Sequence, residues 1–133
     1  MIKLSLAVRN ARLNSIEVAV GPSAILRLFT GSPPTSCSDA ATGTKLVEML
    51  LPSTWLSDAA NGKVSLSGTW SGSAKASGTA GYFRIASDSD DTCHLQGSVS
   101  ASGGSGDMKI DNPAFVVNQI VTVTSFNLSD ANG

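Results

Sequence analysis

The stretch Gly78-Thr79-Ala80-Gly81-Tyr82-Phe83-Arg84-Ile85 limits what this chain can fold into more than any other. Tyr82, Phe83 and Ile85 have the bulk that suits a pleated, half-buried surface. The glycines let a neighbouring backbone come close or let a bulge open. A polar turn follows at Ser87-Asp88-Ser89-Asp90-Asp91, and then a second extended run, Thr92-Cys93-His94-Leu95-Gln96-Gly97-Ser98-Val99. The two runs and their turn read as the central hairpin of an antiparallel sheet.

Other segments supply further strands. Ala24 to Gly31 reads as a strand covered on both faces, with Ile25, Arg27 and Phe29 on one side and Leu26 and Leu28 on the other. Thr44 to Leu51 reads as a strand, with a short amphipathic helix as the alternative, because Leu, Glu and Met are good helix formers. Lys63 to Trp70 alternates polar and apolar residues. Ser71 to Ser77 reads as a small-residue connection, and Asp107 to Asp111 as a short strand. Gln119 to Leu128 is the clearest strand, since its β-branched, alternating pattern fits no helix. Between these lie a Pro-rich polar loop from Ser32 to Gly43, an excursion around Trp55 that ends at Asn61-Gly62, a flexible loop from Ser100 to Gly106, and a loose tail from Ser129.

The exception to the β pattern is the segment from Lys3 to Val20. It holds no Gly or Pro and stops at Gly21-Pro22, which predicts a helix. At the helical period its apolar residues split into two groups. Leu4, Ala7, Val8, Ala11 and Val18 lie on one side; Leu6, Leu13, Ile16 and Val20 lie on another. Lys3, Asn10, Asn14 and Glu17 fall in the arc between. A helix apolar on two sides touches two things, its own sheet and a second subunit, or else is well buried within one domain. The 133 residues suit one domain: a helix over 3–20 and an antiparallel β-sandwich, jelly-roll or Ig-like, over 24–128.

The chemistry-bearing residues are sparse. Charged residues make up 14% of the chain, against about 25% in an ordinary domain. The net charge is −1 and the basic residues are scattered, which argues against nucleic acid as a partner. No run is apolar enough to span a membrane, and Arg9, Asn10 and Arg12 interrupt any signal-peptide core. Cys37 and Cys93 match no metal or redox spacing. They read as two ordinary small thiols, buried or half-buried, with one disulfide as the alternative. The single histidine, His94, points away from Cys93 on a strand, so a thiol hydrolase would have to recruit Cys37 in space. Asp88, Asp90 and Asp91 are oxygen ligands of the kind calcium takes, but without an EF-hand pattern they read as a solvated turn. Tyr82, Trp55 and Trp70 would suit a glycan platform, although such rings are more often core. The expectation is no catalytic residue, no metal and no cofactor.

The residues also carry a resemblance. Leu6-Ala7-Val8-Arg9-Asn10-Ala11 leads into Ala24-Ile25-Leu26-Arg27-Leu28-Phe29-Thr30-Gly31-Ser32-Pro33-Pro34. Ser77 to Arg84, Gln96 to Val99, Gly106 to Asn112 and Val121 to Phe126 follow in order. Together, over nearly the whole chain, these resemble small structural proteins of tailed bacteriophages and prophages. The resemblance implies a virion component without catalysis, assembled in the host bacterial cytoplasm, and carries over no active-site residue. It implies a capsid decoration or cement protein, with a neck, tail or baseplate part as the alternative and a glycan-binding or host-adhesion module as a third reading. The partners would be the major capsid protein, or neck and tail proteins, and further copies of the chain in a homo-oligomer. The contact candidates are Leu4, Leu6, Val8, Arg9, Leu13 and Ile16 on the helix, and Pro33 and Pro34 on the loop.

Overall fold

The computed structural model describes residues 1–87 and 92–132. Among them the chain forms one helix, α1 (Leu6–Val20), and nine strands. The strands are β1 (Ala24–Thr30), β2 (Lys45–Leu50), β3 (Lys63–Ser65), β4 (Ser71–Ser73), β5 (Gly78–Ser87), β6 (Cys93–Ala101), β7 (Met108–Ile110), β8 (Ala114–Phe115) and β9 (Ile120–Ser129). The protein is mainly β with one N-terminal helix, as the sequence predicts. The segment around Leu46 is a strand and not a helix.

The strands form one curled, mixed sheet in the order β2-β1-β5-β6-β7-β9-β3, with β4 also on β9 and β8 on β5. This differs from the expected antiparallel sandwich of two facing sheets. The curl brings the free side of β2 towards the chain just after β4: Val47 bridges Ala74, and the Lys75 N–H donates to Leu46 O at 2.8 Å. Inside it lie Leu26, Leu28, Trp55, Trp70, Phe83, Ile85, Met108 and Phe126, all buried.

The sheet is mixed because β6 and β7 run parallel, Val99 opposite Met108. Parallel neighbours ordinarily need a long crossover. Here residues 102–107 suffice, because the returning chain is pinned back on β6. The Asp107 carboxylate accepts the Ser98 N–H at 3.0 Å and the Ser98 hydroxyl at 3.1 Å, while the Asp107 N–H donates to Ser98 Oγ. The expected flexible loop is thus tied down at its end.

Ser5 starts α1 as its cap, its Oγ accepting the Val8 N–H at 3.2 Å, so the first turn begins three residues later than predicted. Gly21 ends it at φ 96°. Leu13, Ile16 and Val20 face the core. The polar arc beside them is not solvated as a whole. Asn10, Asn14 and Glu17 accept the backbone N–H groups of Gly62, Ala59 and Leu56 at 2.9, 2.9 and 2.7 Å. Polar residues one helical turn apart thereby dock the 56–62 loop along the helix. Asn61 and Gly62 form the tight turn expected of an Asn-Gly pair, both at positive φ, closed by Ala60 and Lys63. The C-terminal tail is held rather than loose. The Asp130 N–H donates to Gly62 O, its carboxylate pairs with Arg12 at 3.2 Å, and Asn132 O accepts the Leu4 N–H.

Candidate functional site

The outer face of β1, β5 and β6 carries the densest set of polar side chains. Register decides which residues meet there. Glu48 on β2 lies opposite Arg27 on β1, Arg27 opposite Arg84 on β5, and Arg84 opposite Gln96 on β6. Two arginines directly opposite each other repel, so the row holds only with compensation on both flanks. On one flank Arg27 Nε donates to Glu48 Oε2 at 2.7 Å, and Lys45 Nζ reaches the same oxygen at 3.2 Å. On the other, Arg84 is buried and donates to Gln96 Oε1 at 3.2 Å, Asp39 O at 2.8 Å and Ser36 O at 3.4 Å.

Those two carbonyls belong to the loop over residues 31–44, which crosses the outer face as a strap. Gln96 Nε2 also holds it, donating to Pro34 O at 2.7 Å. The Tyr82 hydroxyl clasps Thr42 twice, accepting its N–H at 2.9 Å and donating to its carbonyl. Tyr82 is itself fixed by a stacked contact with Phe29, ring centres 4.9 Å apart. Between strap and sheet lies a hollow of about 800 Å3, lined by Arg27, Phe29, Lys45, Arg84 and Ala86 among others.

The strap is also closed covalently. Cys37 at its middle is bonded to Cys93 at the start of β6, Cα atoms 5.2 Å apart across 56 residues of sequence. This corrects the expectation of two unpaired thiols. Spacing along the chain carried no sign of it, because the pair is made by the strap folding over the sheet. In this bonded form neither sulfur is a nucleophile for thiol chemistry with His94. The exposed His94 has no acid or thiol cluster around it: among the described residues no three His, Cys, Asp or Glu side chains gather as metal ligands. The acidic turn at Asp88, Asp90 and Asp91 lies outside the described residues.

Hydrogen bonds from Arg27 and then Lys45 hold the Glu48 carboxyl below its ordinary value of 4.5. A lowered folded value stabilises the fold above the ordinary value, and that contribution disappears as pH falls through the folded value. Acid unfolding monitored below pH 4.5 should therefore flatten in Glu48→Gln. The variant should lose less than about 1 kcal/mol at neutral pH, since the pair is partly solvated. An unchanged acid limb would count against this role.

The contact candidates are spread over two places. Leu13 is buried in the chain's own core and Ile16 packs against it, because both lie at the centre of the inward side of α1. Leu4 and Arg9 are half-buried; Arg9 Nη1 donates to Asp130 O at 3.4 Å, and its Nε is buried without a hydrogen-bond partner. Leu6 and Val8 are exposed, as are Ala7, Ala11 and Val18 on the outward side. Pro33 and Pro34 are half-buried on the strap. Trp55 and Trp70 are core residues and offer no platform; Tyr82 is buried under the strap. Sequence reasoning missed Arg84 and Gln96. Their signal was a charged and an amide residue placed inside the central hairpin, where a buried partner has to be found.

Comparison of the chain with protein families, with characterised proteins and with solved structures finds no match.

Proposed function

We propose that this chain is a non-catalytic structural component of a bacteriophage virion, a decoration or cement protein that bridges neighbouring capsid subunits. The resemblance over nearly the whole chain motivates the reading. The observation that supports a bridging role is the two-sidedness of α1. Its Leu13, Ile16 and Val20 side is used by the chain's own core. Its other side leaves Ala7, Val8, Ala11 and Val18 exposed. Apolar residues gathered on one exposed face are a feature of surfaces that meet another protein. Other virion proteins and further copies of the chain are the partners this reading assigns to that face.

Quantitative mass spectrometry of purified virions tests it. Hundreds of copies per particle are expected for a protein repeated with the capsid lattice. Far fewer copies would move it to the neck, tail or baseplate, and complete absence would sink the virion reading. Val8→Asp with Val18→Asp should abolish binding to particles while leaving the fold intact, since both side chains point away from the core.

A further inference from the structure

We propose that the Cys37–Cys93 pair is a redox lock on the 31–44 strap, left open while the chain is in a reducing compartment and closed after release from it. The strap is seated by contacts that need no sulfur. Tyr82 holds Thr42, Arg84 holds Ser36 and Asp39, and Gln96 holds Pro34. These contacts lie on both sides of Cys37, so they bring it to Cys93 before any bond forms, within the Cα separation a disulfide requires. Both cysteines are half-buried and neither belongs to the core, so a small disulfide can reach them. The core inside the curled sheet contains neither of them, and its aromatic cluster is packed without them. Reduction should therefore loosen the strap and leave the sheet folded.

The chemistry is thiol–disulfide exchange. One cysteine thiolate attacks a sulfur of a small-molecule disulfide such as oxidised glutathione and expels one thiol. The second cysteine then displaces the mixed disulfide, forming the Cys37–Cys93 bond and releasing the second thiol. Two protein thiols are oxidised and one disulfide is reduced to two thiols, with the protons passing to the released thiolates or to solvent.

The timing deepens the virion reading and rests on it: assembly in a reducing cytoplasm would set the strap loosely, and release by lysis would fix it. The lock itself does not rest on that reading. The test traps thiols with iodoacetamide in cells making the full chain, and again after the released protein meets oxidised glutathione. Two alkylated cysteines are expected in the first sample and none in the second. A protease that cuts at aspartate then reports the strap through the exposed Asp39. Cleavage there should be faster in the reduced chain on the order of 30-fold, the lower end of what a native bridge contributes. The far-ultraviolet circular dichroism should stay unchanged. Cys37→Ser with Cys93→Ser should show the fast cleavage under both conditions. A complete bridge in the cells, equal cleavage in both forms, or unfolding of the whole chain on reduction would each overturn the lock. A lock that behaves as described in a chain absent from virions would remove only the timing.

Discussion

Gly81→Ala is expected to destabilise the protein by about 3 kcal/mol, at the upper end for one added methyl group. In the β1–β5 ladder Phe29 pairs with Tyr82 and Thr30 with Ala80, which leaves Gly81 as the extra residue of a bulge. There the backbone of Gly31 comes so close that a Cβ on residue 81 would overlap the Gly31 carbonyl oxygen. Its carbonyl carbon would lie 2.8 Å away and its nitrogen 3.0 Å away. The obstacle is backbone, so no rotamer change relieves it. Gly31 is also where β1 gives way to the strap, at φ 87°. Pushing it outward disturbs the clasp between Tyr82 and Thr42 as well. The entropy that alanine removes from the unfolded chain offsets under about 1 kcal/mol of this. Gly103→Ala is the control: a Cβ there meets nothing within 4 Å, and its effect should stay within about 0.5 kcal/mol. Urea unfolding of both variants decides the matter. A Gly81→Ala midpoint equal to that of the control would mean that the close approach does not exist.

That bulge was legible in the sequence, because glycines beside a bulky strand have few other uses. The central hairpin, β9 and the end of α1 were legible for similar reasons: each rests on a local pattern or on a local stop such as Gly21-Pro22. The strands that were missed have no such pattern. Ser71–Ser73 carries no apolar residue to bury, and Ala114–Phe115 is two residues long. Both become strands only because β9 and β5 offer them partners. The parallel pairing of β6 and β7 depends on the Ser98–Asp107 clasp, a contact between side chains that no periodicity announces.

The same limit applies to the site. Arg27, Glu48, Arg84 and Gln96 stand on four strands far apart in sequence, and only register puts them in one row. Alternation alone put Arg27 on the same face as Ile25 and Phe29, but did not say which face of the sheet that is. Nor did it say what Arg27 lies against. The 31–44 strap was recognisable as a long polar loop with two prolines, but not its path across the sheet. The Cys37–Cys93 bond follows from that path. The helix shows the converse. Its two apolar sides were visible at once, yet the arc between them proved as important, because Asn10, Asn14 and Glu17 meet backbone N–H groups of a loop that sequence alone does not bring near.

Trp70→Ala should cost about 4 kcal/mol, within the range for removing a buried tryptophan. Trp70 is fully buried and stands between Trp55 and Phe126, with ring centres 6.0 and 5.5 Å away. Phe126 in turn meets Phe83 edge to face at 5.5 Å, so four rings brace one another across the curl. The loss has three parts. Burial of one of the two largest side chains in the core disappears, and the cavity left behind can collapse only if β9 moves. The indole Nε1–H, which donates to Ser67 O at 3.1 Å, is removed as well. Collapse is resisted because the Trp70 carbonyl accepts the Val123 N–H at 3.0 Å, and β7 pins β9 from its other side. It is also resisted from the helix end, where Trp55 Nε1–H donates to Gly21 O at 3.2 Å. Trp70→Phe keeps one ring against Phe126 but gives up the Ser67 bond, and should lose roughly half as much. Against a total stability of about 5–15 kcal/mol, the alanine variant would be marginal, so its midpoint is best measured by urea unfolding in the cold. A cost under about 1 kcal/mol would mean that the ring does not fill the core. Equal costs for Phe and Ala would instead place most of the energy in the indole N–H.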